Sequence, residues 1–274
     1  MTHLKSRHQI TVLLFSLLCF LCVPYTHAAP KKKLLTEWNG VTVDSIKTVD
    51  HSVWERLLKK YLKANSGMTL FRYGAVSTAD KVALKNYIRA LGKVNPASLN
   101  RNEQFAFWAN LYNSKTVDLV LDHYPVSSIK RIGNVIKGPW DQKNITVNGK
   151  RLSLNNIEHG ILRPIFNDQR IHYVLNCASI GCPSLPKRAL TSKNYRAIMA
   201  LSARQFVNHR RAVSFEKGDL TLSSIYDWYA SDFGRNERAV LKAISKHAKP
   251  QLKKQLNEYK GKIKYNYNWS LNKI

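Results

Sequence analysis

The chain has 274 residues, with 44 Lys and Arg against 17 Asp and Glu and a formal charge of +27. A hydrophobic content of 44% excludes an intrinsically disordered chain, and the length is ample for a full core. So large a charge predicts association with polyanions, yet no zinc finger, RNA-binding signature or basic zipper argues for nucleic acid.

The first residues have the parts of a secretory signal. Lys5 and Arg7 make a basic start, Thr11 to Val23 is an apolar run, and Thr26-His27-Ala28 offers small residues at −3 and −1. Cleavage is expected after Ala28, since a cut one residue later leaves Pro30 at +1. The apolar run falls short of the roughly 20 residues of a membrane span. Neither Cys19 nor Cys22 follows the triplet of a lipid-attachment signal. Residues 1–28 therefore read as a signal peptide and the mature protein as exported, periplasmic or secreted. Loss of Lys5 and Arg7 brings the charge to +25. The expected partners are an anionic small molecule, an envelope polymer or a membrane surface. Only Cys177 and Cys182 remain after cleavage, and an even pair in an oxidising compartment favours a bridge by default.

Residues 29–50 read as an N-terminal extension with a basic start, and 51–274 as one α+β domain. His51 to Asn65 carries Val53, Trp54, Leu57, Leu58, Tyr61 and Leu62 at helical spacing and ends at Gly67. Thr78 to Leu91 is a second amphipathic helix. Asn100-Arg101-Asn102-Glu103 has the form of a capping box, opening a helix to about His123. That helix is apolar nearly all round and is expected to be central and buried. Glu103, Asn110 and Ser114 recur within a narrow arc of it, with Asn113 at the edge. Polar groups on an apolar face need partners or face a cavity, which makes this arc a candidate pocket wall.

Ile145 to Leu154 alternates about Asn148-Gly149 and predicts a hairpin. A helix is expected from Leu154 to Phe166, with Glu158 and His159 on its flank and Arg163 one turn on. Ile171 to Leu175 reads as a buried strand running into a small-residue turn with Asn176, Cys177 and Cys182-Pro183. A helix over about 192–210, a hairpin over 212–222 turning at Lys217-Gly218, and a helix from Ser223 follow. The part from 235 to 274 is basic and helical over 235–260. The expected architecture is a buried central helix, short mixed or antiparallel sheets with hairpins, and helical flanks.

Several strings, taken together, carry a family resemblance: NEQFAFWANLYNSKTVDLVLDHYP, GPWDQKNITVNGKRLSLNNIEHGILRPIF, DQRIHYVLNCASIGCPSL, LTLSSIYDWYASDFG and YNWSLN. The chain resembles domain-of-unknown-function family 547 from about residue 50 to the C-terminus. One departure is Gln169, where the pattern has Pro. The resemblance implies no assigned mechanism. It implies emphasis on Glu103, Asn110, Asn113, Glu158, His159, Arg163, Arg170, His172, Asn176, Cys177, Cys182 and Pro183.

These residues permit a thiol enzyme with papain-like logic, a hydrolase or acyl transferase. Cys177 is its nucleophile and His159 its base, with Glu103 or Asn113 orienting the imidazole. On a regular strand His172 lies about 16 Å from Cys177 at ~3.3 Å per residue and faces the other way, which excludes it as partner. Arg163 and Arg170 are candidates to hold a substrate carboxylate or phosphate, with Asn110, Asn113, Glu158, His172 and Asn176 lining the pocket. Backbone N–H groups at Cys177-Ala-Ser are a candidate oxyanion hole. The alternative is a non-catalytic module for an anionic ligand or polymer, with a structural Cys177–Cys182 disulfide. A zinc site from Cys177, Cys182, His159 and His172 is a third reading, weakened by the lack of closely paired histidines. No glycine-rich phosphate loop, hydrolase elbow or metalloprotease helix is present, so no cofactor and no metal are expected.

Overall fold

The computed structural model describes residues 30–133 and 138–274. The expected signal peptide lies outside the described residues. Among those described, no helix is long and apolar enough to cross a membrane.

The central element is α3 (Arg101–Asp122), a helix of 22 residues that is buried almost throughout. Asn100 starts it as expected, its Oδ1 accepting from Glu103 N at 3.0 Å. The reciprocal half of the capping box is not made, because Glu103 Oε1 instead accepts from Val49 N at 2.9 Å. Helix α1 (Ser52–Tyr61) packs on α2 (Thr78–Gly92), and α2 packs on α3. Trp54, Leu57, Leu58, Leu84 and Leu91 fill the same core as Phe105, Phe107, Trp108 and Leu111.

The expected helix to Asn65 stops four residues early. Leu62–Asn65 form β1, paired antiparallel with β2 (Met68–Phe71). Ser66 at φ 46° and Gly67 at φ 79° make the reversal, so Gly67 closes a hairpin and not a helix. The hairpin β3 (Ile145–Val147) and β4 (Lys150–Leu152) turns at Asn148-Gly149 as predicted.

Residues Asn156–Leu162 form a π-helix, continued by α4 (Arg163–Phe166). The expected strand Ile171–Leu175 is not formed. Gln169–Tyr173 is a 3-10 helix begun by Asp168, whose Oδ1 accepts from Arg170 N at 2.9 Å. A short apolar run does not distinguish a buried strand from a buried turn of helix. Tertiary contacts decide here, because Asn113 supplies the partners a neighbouring strand would have supplied: its Nδ2 donates to Val174 O and its Oδ1 accepts from Asn176 N, both at 2.8 Å.

Helix α5 (Tyr195–Val207) leads to β5 (Val213–Glu216) and β6 (Asp219–Ser223), then α6 (Ile225–Trp228), α7 (Ala230–Phe233), α8 (Glu237–Ser245) and α9 (Pro250–Glu258). The last strand, β7 (Ile263–Asn266), is not among the expected elements, although Ile263-Lys-Tyr-Asn-Tyr-Asn-Trp269 alternates, and it pairs parallel to β6. A second apolar cluster under this sheet holds Phe206, Tyr226, Phe233 and Ile244. With about 48% helix and 12% strand, the fold is a single-domain α+β fold.

Candidate functional site

A cavity of about 390 Å³ opens where α3, the π-helix, the Cys177 turn and the C-terminal tail meet. Its floor carries Tyr112, Glu158, His159, His172 and Cys177, and its walls include Trp140, Trp228 and Trp269.

The π-helix presents Glu158 and His159 together. Its wide turns need outside hydrogen-bond partners, and residues 33–35 supply two of them: Lys33 N donates to His159 O at 3.1 Å and Leu35 N to Gly160 O at 2.9 Å. Position 160 requires glycine for this contact, since a Cβ there would lie 2.7 Å from the Leu35 side chain.

The turn bearing Cys177 is fastened from both sides. Asn176 Nδ2 donates to Pro183 O at 3.1 Å, and its Oδ1 accepts from Ala178 N at 2.9 Å. Ala178 sits at φ 54°, a sharp left-handed step directly after the cysteine. On the far side the C-terminal tail lies along the turn: Ile180 N donates to Ser270 O and Gly181 N to Asn268 O, both at 2.8 Å. The tail thereby brings Tyr267 Oη to 3.0 Å from Cys177 Sγ and 2.6 Å from Ser179 Oγ.

Cys177 and Cys182 are both free, so the bridge weighed from sequence is not formed. Cys177 N donates to Cys182 Sγ at 3.1 Å. The adjacent Cys182 thiol, and then the Tyr267 and Ser179 hydroxyls, hold the Cys177 thiol below its ordinary range, against burial and the charge of Glu158. Burial pushes Cys182 well up, leaving it the protonated member of the pair. The expected oxyanion hole fails in part, because Cys177 N is taken by Cys182 and Ala178 N by Asn176.

The two histidines have different roles. Arg163 Nη1 donates to His159 Nδ1 at 3.0 Å, which places the neutral ring's proton on Nε2 and occupies its basic nitrogen. Burial, followed by the Arg163 charge, lowers the His159 pKa. His172 Nε2 donates to Asp232 Oδ2 at 2.8 Å, leaving Nδ1 as the basic nitrogen, 3.8 Å from Glu158 Oε1. The His172 ring packs on Tyr229, with centroids 3.9 Å apart. Asp232 also accepts from Arg163 Nε at 2.6 Å and lies 3.1 Å from Lys32 Nζ. Burial raises its pKa, but the His172 and Arg163 hydrogen bonds outweigh that and hold Asp232 ionised. Glu158 follows the same logic: burial pushes it up, while the two imidazoles and the Tyr229 and Tyr112 hydroxyls bring it below the usual carboxylate range.

Residues 96–207 match the model of a family described as Protein of unknown function, DUF547. Over that segment the chain is similar to the DUF547 family. No curated protein and no solved structure matches the chain. The matched segment is shorter than the resemblance read from sequence, and it divides the site. Tyr112, Trp140, Glu158, His159, His172 and Cys177 lie inside it, whereas Trp228, Tyr229, Asp232, Tyr267 and Trp269 come from the chain beyond.

Only part of the sequence-derived set converges on the cavity. Cys177, His159, Glu158 and His172 do. Exclusion of His172 fails with the strand on which it rested, since the 3-10 helix and turn bring it to the same cavity as Cys177. Glu103 is engaged at the other end of α3 with Val49 and does not line the cavity. Asn110 fastens α3 to the Leu190 backbone, donating to its O at 2.7 Å and accepting from its N at 3.0 Å. Asn113 and Asn176 shape the cysteine turn through backbone groups. Arg163 is spent on Asp232, Pro30 O and His159, and Arg170 on a bidentate contact with Asp168. Among the described residues no three His, Cys, Asp or Glu side chains gather as a metal would require. Sequence reasoning missed Asp232, Tyr267 and the three tryptophans. The strings YDWYASDFG and YNWSLN contain most of them, and the signal they offered was aromatic density, together with the alternation Tyr265-Asn-Tyr267-Asn-Trp269.

Proposed function

We propose that this chain is an exported thiol-dependent hydrolase or acyl transferase acting on an anionic envelope substrate. Cys177 is its nucleophile, His172 its base and Asp232 the residue that orients the imidazole. The observation that carries this reading is that Cys177, its thiol pKa lowered, lines the same aromatic-walled cavity as a histidine whose far nitrogen is pinned by a buried carboxylate. The thiol proton passes to His172 Nδ1, and the thiolate attacks the substrate carbonyl to form a C–S bond. Collapse breaks the bond to the leaving oxygen or nitrogen, which takes the proton back from His172. Water or an acceptor hydroxyl then attacks the thioester, giving its proton to His172, and the thiolate leaves. His159 is the weaker base because Arg163 already occupies its Nδ1.

A module that captures an anion through Arg163 and Arg170 has less support, since both guanidinium groups already hold carboxylates. The anionic character of the substrate is met instead by the basic exterior and by Lys130, whose ammonium lies over Trp269 at the cavity wall.

The test is intact mass spectrometry of the mature chain after exposure to activated esters. An acyl adduct on Cys177 is expected, with acylation falling about 10²–10⁴-fold in His172→Asn and far less in His159→Asn. Absence of any adduct, or undiminished turnover by Cys177→Ser, would overturn the proposal.

A further inference from the structure

Three of the chain's six tryptophans meet at this one cavity; Trp140 and Trp228 also pack against the two apolar clusters, but Trp269 does not. Trp228 and Trp269 stack with centroids 5.4 Å apart and an interplanar angle of 26°, and Trp140 meets Trp269 at 5.9 Å and 59°. Tyr267 braces both Trp228 and Trp269, at 4.7 and 4.6 Å. All three indoles remain half-buried. Large aromatic faces left partly in water beside a cavity are the mark of a ligand surface.

The polar groups at this wall narrow the ligand. Asn155 Nδ2 donates to Asp141 Oδ1 at 2.7 Å, which leaves the exposed Asp141 carboxylate further lone pairs to offer. Lys130 adds a donor on the other side of Trp269. Around the tryptophans the wall thus combines aromatic faces with the Asn155 amide, the Asp141 carboxylate and the Lys130 ammonium. Glu158 is ionised on the floor, so a carboxylate or phosphate is repelled there. A saccharide satisfies each of these demands. Its C–H faces pack on indole, its hydroxyls take the edge donors and acceptors, and its ring is neutral where the floor is negative. The three indoles are inclined to one another and form a bent wall, which suits puckered, linked rings better than one flat aromatic ring. A volume of about 390 Å³ accommodates a short saccharide.

We infer that the substrate is an O-acylated saccharide, its ring packed on Trp140, Trp228 and Trp269 and its ester carbonyl directed to Cys177. This rests on the thiol reading above: the acyl carbon bonds to sulfur as the bond to the sugar oxygen breaks, and that oxygen leaves with the proton from His172. The basic exterior then serves an acidic polysaccharide, engaging the polymer's charges outside the cavity.

Binding and chemistry are separated in one experiment on the full mature chain. Tryptophan fluorescence is titrated with a panel of neutral, amino and uronic-acid oligosaccharides, each bare and O-acetylated, and acylation of Cys177 is followed by mass with the same panel and with naphthyl acetate. Saturable quenching by at least one acetylated member is expected, weakened about tenfold in Trp269→Ala and partly restored in Trp269→Phe. Cys177→Ser is expected to bind that member and form no adduct. If no member quenches the native chain while naphthyl acetate acylates Cys177, the saccharide inference falls and the thiol reading stands. If a saccharide quenches through Trp269 but no ester ever acylates Cys177, the thiol reading falls and the chain is a glycan-binding module.

Discussion

At the scale of single residues, the chemistry of the site depends on which proton each neighbour holds. Tyr267 is kept protonated by burial and lies against Cys177 Sγ, so its hydroxyl is one of the groups that stabilise the thiolate. Tyr267→Phe removes that hydrogen bond while keeping the ring. Alkylation of Cys177 at neutral pH is expected to slow by about three- to tenfold, because a unit of pKa is a factor of ten in thiolate. The pH–rate curve should move to higher pH, and an unchanged curve would show that Cys182 and Ser179 suffice. A second residue acts on stability alone. His51 is buried, its Nδ1 bonded to Tyr87 Oη at 2.6 Å, and burial lowers its pKa to about 4. The unfolded chain binds this proton near pH 6.5 and the folded one only near 4, so stability falls as pH drops through that window. The full effect is about 3 kcal/mol below the folded value. Thermal melts of His51→Gln should show a clearly shallower decline between pH 6.5 and 4 than the native chain.

At the scale of elements, the cysteine turn is a loop held in place by asparagine side chains and a borrowed tail. Asn113 satisfies two buried backbone groups at once, Val174 O and Asn176 N. Asn113→Ala orphans both, and a loss of about 2–4 kcal/mol in chemical denaturation is expected from two unmet hydrogen bonds. A loss below 0.5 kcal/mol would mean that water replaces the side chain. Gly181 is where the tail comes closest: a Cβ there would lie 2.8 Å from both Asn268 N and the Tyr267 ring. Gly181→Ala is expected to lift residues 267–269 off the turn, at about 1–3 kcal/mol of strain. Because that segment carries Tyr267 and Trp269, thiol reactivity should fall together with stability. Stability loss with fully native alkylation would disprove the coupling.

At the scale of the molecule, the excess of basic residues is a long-range property that the site does not consume. Arg163 and Arg170 are neutralised by Asp232 and Asp168, so the field comes from solvated side chains elsewhere. Capture of anionic vesicles or an acidic polysaccharide should therefore weaken at least tenfold between low and high salt, as the screening length shrinks from ~10 Å at 0.1 M to ~3 Å at 1 M. Salt-independent capture would point to recognition in the cavity alone. The match over residues 96–207 also has a molecular consequence, since the Asp232 carboxylate and two of the three tryptophans lie beyond it. Cys177 and His172 lie within the matched segment, whereas Asp232, Trp228 and Trp269 do not.

By itself the sequence determined the α+β class, the buried α3 with its Asn100 cap, the hairpins at Asn148-Gly149 and Lys217-Gly218, and the polar residues worth watching. Each of those is a local property, set by periodicity, turn chemistry or capping within a few residues. Only the tertiary structure decided that Ile171–Leu175 winds instead of extending, because Asn113, some sixty positions away, satisfies its backbone. It alone decided that Glu103 belongs to Val49, that Arg163 occupies His159 Nδ1 while His172 Nδ1 faces Glu158, and that Asp232, Tyr267 and Trp269 stand beside them. Those outcomes depend on contacts between residues far apart in the chain, which no local pattern encodes.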